Sequence, residues 1–145
     1  MATDRRAAVT WKGSLLEGSG TIDSTTSGAI GAQSVSWPAR STDDAGGSTS
    51  PEELIAAAHA ACFSMALSAG LSKAGNEPEQ LHTTATVTFQ PGEGITKIAL
   101  TVEGRVAGID QAGFVAAASE AKQNCPVSQA LAGVPEITLD ATLAS

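Results

Sequence analysis

At 145 residues the chain suits a single domain, 1–145, and is long enough to bury a core. Its composition, 42% hydrophobic and 16% charged, reads as globular and soluble, but aromatics are only 3% and much of the apolar content is alanine, which buries little area. A net charge of −7 with no basic cluster argues against nucleic acid and anionic membrane surfaces as partners, and the small core suggests that an interface supplies the rest.

The N-terminal "MATDRRAAVTWKG" lacks the apolar core of a secretory signal. The most apolar stretch, Leu54 to Leu71, is interrupted by His59, Ser64 and Ser68, so no membrane span is expected. That leaves the cytoplasm as the expected compartment. Thiols stay reduced there, so two lone cysteines point to redox activity, catalysis or inert burial rather than to a structural staple.

Residues 5–40 show short apolar-polar alternations around Trp11, Val35 and Trp37, punctuated by glycines, which predicts two or three antiparallel strands. The polar "STDDAGGSTS" (41–50) is a loop. A helix then begins with Ser50 as N-cap, Pro51 at the first helical position and Glu53 completing a capping box. It extends to Lys73 or Ala74, where Gly75 stops it. Because it is apolar around most of its circumference, burial on several sides is expected. "LHTTATVTFQ" and "ITKIALTVEGRV", joined by "PGEG", alternate with period two and predict a hairpin. Asp110 caps a second helix, "QAGFVAAASEAKQN". A helical turn follows Cys125-Pro126, and "EITLDATLA" closes the chain as a strand. The order β-β-β-α-β-β-α-β, with strands in antiparallel groups, predicts an α+β fold.

Few residues can carry chemistry. Glu53 is occupied by the capping box, and Glu52 is favourable at a helix N-terminus in any case. Cys62, flanked by Ala60, Ala61 and Phe63, fits a small buried hydrophobe, and its mid-helix position offers nothing to lower its pKa. A reactive Cys62 would need a cation from elsewhere. Cys125, before a proline and a helical turn, stands where backbone amides favour a thiolate. The two are 63 positions apart, which excludes a C-x-x-C motif. His59 shares a helical face with Cys62 and reads as a hydrogen-bonded core histidine before it reads as a base. Cys62, Cys125, His59 and His82 match no common zinc spacing, so no metal is expected. The arginines are Arg5, Arg6, Arg40 and Arg105, and Arg40, at the end of the third strand region, is best placed to reach a site.

"SPEELIAAAHAACFSMAL" and "NCPVSQAL", with "VTWKG", "ITKIAL" and "EITLD", closely resemble the OsmC (osmotically inducible protein C) family, which is related to the Ohr proteins of organic hydroperoxide resistance. His59 falls where Ohr-type sequences usually have tyrosine, which favours the OsmC branch and speaks against an essential histidine. The resemblance implies an OsmC-like fold with a central buried helix, an intertwined homodimer with sites at the subunit interface, and a thiol-dependent peroxidase acting on organic hydroperoxides. By motif, Cys62 is then the peroxidatic and Cys125 the resolving cysteine. Glu52 matches the motif glutamate that orients an arginine, and Arg40 is the matching arginine that stabilises the thiolate. The implied cycle uses no bound cofactor and draws on an external dithiol of the lipoyl type. Glu52 and Cys62 are ten residues apart, about 15 Å of helical rise, so a site completed across the dimer interface is favoured over direct contact. The alternative is a cysteine-based redox sensor or binding module without turnover.

Overall fold

The computed structural model describes residues 1–144. The chain divides into two compact units, Met1–Leu54 and the segment from Ile55 onward. In the first unit β1 (Ala7–Lys12), β2 (Ser19–Thr25) and β3 (Gln33–Val35) form an antiparallel sheet in that order. A short helix α1 (Trp37–Ser41) follows, and Arg40 lies on it. The sequence reading had placed Arg40 at a strand end. The signal for α1 was present: the Ser36 side chain accepts a hydrogen bond from the Ala39 amide at 3.2 Å, and Pro38 occupies the first turn.

Helix α2 (Pro51–Lys73) starts in the first unit and continues through the second without interruption. Its cap is half the predicted box. The Glu53 amide donates to Ser50 Oγ at 3.2 Å, but the Glu53 carboxylate accepts from the Thr49 hydroxyl at 2.7 Å instead of returning to the Ser50 amide. The far end is a Schellman motif, with Asn76 N–H bonded to Leu71 O, Gly75 N–H bonded to Ser72 O, and Gly75 at φ +88°.

The second unit holds a sheet in the order β4 (Pro78–Gln90), β5 (Gly94–Val106), β6 (Glu136–Leu143). The β4–β5 hairpin is antiparallel, as expected, but β6 runs parallel to β5. The cause is the connection: α3 (Gln111–Asn124) and α4 (Pro126–Ala130) carry the chain back to the starting end of β5, and a helical crossover yields a parallel pair. Ile98, Leu100 and Val102 alternate inward on β5. Leu100 and Val102 join Phe63, Leu67 and Leu71 of α2 and Phe114, Ala118 and Ala121 of α3 in one core cluster.

On α2 the buried residues of this unit, His59, Phe63, Leu67 and Leu71, recur every four positions and make one stripe. Ala57, Ala61, Met65 and Ala69, on the opposite side, are exposed. Within one chain, then, the helix is buried along a single stripe and not on several sides. By length and composition α2 could cross a membrane, despite its polar interruptions, but its stripe belongs to the core of this sheet and α3. His59 is fully buried; its Nε2 lies 2.7 Å from Ser128 Oγ, and its Nδ1 has no hydrogen-bond partner among the described residues.

Two outcomes are expected of this core. A Cβ at Gly104 would lie 2.5 Å from Cζ of the buried Phe114 ring, which has no room to retreat, so Gly104→Ala should destabilise by about 1–3 kcal/mol in chemical denaturation. Burial lowers the His59 pKa below its ordinary 6.5. The unfolded chain therefore binds a proton that the folded chain refuses, and stability should fall as pH drops below about 6.5. Denaturation midpoints across that range should show a shallower acid loss in His59→Gln than in the wild type.

Candidate active site

In the first unit Arg40, in the last turn of α1, donates from Nε to Oε1 of Glu52 in the first turn of α2 at 2.9 Å. Glu52 is only 6% exposed, and its Oε2 is buried with no hydrogen-bond partner among the described residues. The carboxylate that the sequence could assign to helix-end electrostatics alone is therefore committed to an arginine. Such a charge-assisted bond fixes the guanidinium's direction as well as contributing attraction.

In the second unit both cysteines are free thiols. Cys62 is partly exposed and Cys125 is fully buried. Cys125 stands at a corner: its amide donates to Ala121 O to end α3, and it is the N-cap residue of α4, with Pro126 next. A residue before proline is pushed out of the helical region, so the chain must turn there. Cys125 adopts φ −61° and ψ +120° accordingly.

That corner determines the electrostatics. Cys125 closes no tight capping bond through its sulfur, but the first amides of α4 are directed toward the two thiols. Burial opposes ionisation of Cys125. It is outweighed by hydrogen bonding from the Ser128 amide, the Cys62 thiol, the Ser128 hydroxyl and the Val127 amide, so the Cys125 pKa lies below the usual thiol range. Burial pushes the Cys62 thiol up; the Val127 amide pulls it down, and the neighbouring Cys125 sulfur raises it further. Within this unit the negative charge is thus better held on Cys125, and Cys62 donates to it. The first amides of α4 lower the Cys125 pKa, and the helix around Cys62 supplies no activation.

The structure brings Cys62 and Cys125 together in one unit and pairs Arg40 with Glu52 in the other. Ser128 was missed by the sequence reading. Its signal was its position three residues after an N-cap cysteine, where a side chain returns toward the cap. Among the described residues no group of three or more His, Cys, Asp or Glu side chains could hold a metal ion.

Residues 43–140 match the family model described as OsmC-like protein. The chain is 45% identical to Peroxiredoxin OsmC of Escherichia coli (strain K12), over the full length of both chains. It is 35% identical to the organic hydroperoxide resistance protein of Xanthomonas axonopodis pv. citri, over 65% of this chain and 67% of that one. Among solved structures, an organic hydroperoxide resistance protein OsmC of Legionella pneumophila aligns with TM-score 0.64 at 22% identity, covering 97% of each chain. An OsmC-like protein of Mycoplasma pneumoniae aligns with TM-score 0.70 at 16% identity, covering 99% of this chain and 100% of that one. These two likenesses establish the α+β fold, and with the family model and the full-length relative they lead to one conclusion: this chain belongs to the OsmC-like protein family.

Proposed function

We propose that this chain is a thiol-dependent peroxidase that reduces organic hydroperoxides with Cys62 as the attacking and Cys125 as the resolving cysteine. The observation that carries the reading is a partly exposed thiol beside a fully buried one whose pKa is lowered by the amides of α4. A hydroperoxide can reach Cys62. The buried Cys125 is shielded from substrate but poised to attack its neighbour. The names of the relatives, a peroxiredoxin and an organic hydroperoxide resistance protein, support the same reaction class.

The Cys62 thiolate attacks the distal peroxide oxygen. The O–O bond breaks, the alkoxide leaves and takes a proton to become the alcohol, and Cys62 becomes a sulfenic acid. The Cys125 thiolate then attacks the Cys62 sulfur, the S–O bond breaks, and the departing hydroxide is protonated to water. An external dithiol of the lipoyl type donates two electrons and two protons to reopen the disulfide. No resident cofactor is required. Since burial and Cys125 both disfavour a Cys62 thiolate, a cation must complete the site, and Arg40 held by Glu52 is the proposed one, acting within the chain or from a partner subunit.

The two units are proposed to act as one domain, because α2 runs through the boundary at Leu54 and Ile55. The working form is proposed to be a homodimer in the cytoplasm, where the two thiols stay reducible. The apolar exposed side of α2 and the fully exposed strand β1, with Val9 and Trp11, support a second copy as the missing cover. Sedimentation equilibrium should return twice the chain mass; a monomer at micromolar concentration would sink the dimer.

Cumene hydroperoxide consumption with dihydrolipoamide tests the chemistry. Wild type should turn over repeatedly and Cys62→Ser should be inactive. Cys125→Ser should consume one equivalent of peroxide and then stop under dithiol. A wild type that also stops after one equivalent would mark a redox sensor instead.

A further inference from the structure

His59 and Ser128 take no part in the chemistry above, yet both are buried and bonded to each other at 2.7 Å. A polar pair inside an alanine-rich core must be desolvated, which an apolar pair of the same shape would avoid. Their placement accounts for the expense. His59 lies three residues before Cys62, so the two share a face of α2. Ser128 lies three residues after Cys125, so its side chain borders the cap position of α4. Two pairs with matched spacing therefore oppose one another. The His59–Ser128 bond ties them at one end, and the two sulfurs interact at the other.

The direction of the bond follows from the ring. Among the described residues Nε2 has a partner and the buried Nδ1 has none. An orphaned buried N–H is rarer than a bare acceptor, which favours the tautomer with its proton on Nε2, donating to Ser128 Oγ. The Ser128 hydroxyl proton is then released to point elsewhere, and Cys125, at the cap of the same short helix, offers a sulfur whose thiolate a hydroxyl donor would stabilise. Donors line up from imidazole to hydroxyl to sulfur, and aligned hydrogen bonds reinforce each other.

We propose that His59 and Ser128 are positioning residues for the resolving step: their bond holds Cys125 in register with Cys62 and turns the Ser128 hydroxyl onto the Cys125 sulfur. This rests on the peroxidase reading. It concerns the second chemical step alone, in which the S–S bond forms, the Cys62 S–O bond breaks and hydroxide leaves as water. His59 acts through Ser128 and touches neither peroxide nor the reacting oxygen.

Two measurements decide it. In a Cys62→Ser background the Cys125 thiolate is titrated by its ultraviolet absorbance, without any peroxide. Ser128→Ala should raise the Cys125 pKa, and Ser128→Thr, which keeps the hydroxyl, should restore it. In single-turnover stopped flow with both cysteines present, Ser128→Ala and His59→Ala should slow disulfide formation about tenfold more than they slow sulfenic acid formation, the effect of one lost hydrogen bond to a charged group. His59→Gln, which keeps an N–H donor near the Nε2 position, should recover most of the loss. Equal slowing of both steps in folded variants, or an unmoved Cys125 titration, overturns the proposal by reducing the pair to packing. A wild type that forms no sulfenic acid defeats the peroxidase reading itself, and the peroxide-free titration still judges the hydroxyl's action on Cys125.

Discussion

The corner at Cys125 is the constraint on which the second unit's chemistry depends. Pro126 cannot continue α3, and Cys125 cannot take a helical conformation before it, so one helix ends and another begins at the same residue. Without that break Cys125 would be one more buried residue on α3, with its amides spent on the helix. With it, the amides of Val127 and Ser128 have no carbonyl partner earlier in α4 and turn toward sulfur. The rest of the unit keeps the corner in place. Phe114 seats α3 against Gly104 of β5, while Phe63, four residues beyond His59, anchors α2 in the same cluster.

This arrangement divides the labour between the thiols before any substrate arrives. Dipoles and hydroxyls, not a formal charge, favour the thiolate on the buried sulfur, where it is protected from solvent and from oxidant. The partly exposed sulfur of Cys62 is the harder of the two to ionise. Under the proposed reaction an added cation would ionise the outer thiol, and the lowered Cys125 pKa would ease formation of the resolving thiolate. In the proposed cycle the order of events follows accessibility first and acidity second. The Arg40–Glu52 pair is the one proposed to supply that cation, and a carboxylate that is 6% exposed holds a guanidinium more firmly than a solvated one could.

Much of this was legible in the residues. Asp110 and "QAGFVAAASEAKQN" mark α3 to its boundaries, because a side-chain cap and a proline stop are local signals. The hairpin strands are longer than their alternation suggested, since pairing continues into Pro78–Gln80 once the partner strand is present. The parallel placement of β6 was not legible. Strand direction is settled by which end of the sheet the connection returns to, and no residue in "EITLD" encodes it. At the site, the two cysteine motifs were plain, but α1 was hidden within five residues and the role of Glu53 was misassigned by one partner. Ser128 escaped notice because a serine in a short helix is ordinary until its bond to a residue 69 positions away is seen. Local contacts can be read from spacing; bonds between distant segments require the fold.

The shortage of aromatic residues also takes a different meaning once it is located. Composition alone suggested a core too small throughout. The second unit's core is in fact well filled, with Phe63 and Phe114 fully buried and leucine, isoleucine and valine closing the β5 face. The deficit lies instead in particular surfaces: a strand β1 with no buried residue, and a side of α2 made of alanines and Met65. Alanine there carries a helix's propensity without the bulk that would keep another helix at a distance. A residue choice that looks wasteful for one chain becomes sensible for a helix packed closely on both sides. The same small residues that leave α2 underburied alone would let a partner approach the face next to Cys62, where the proposed reaction needs water kept out and a cation brought in.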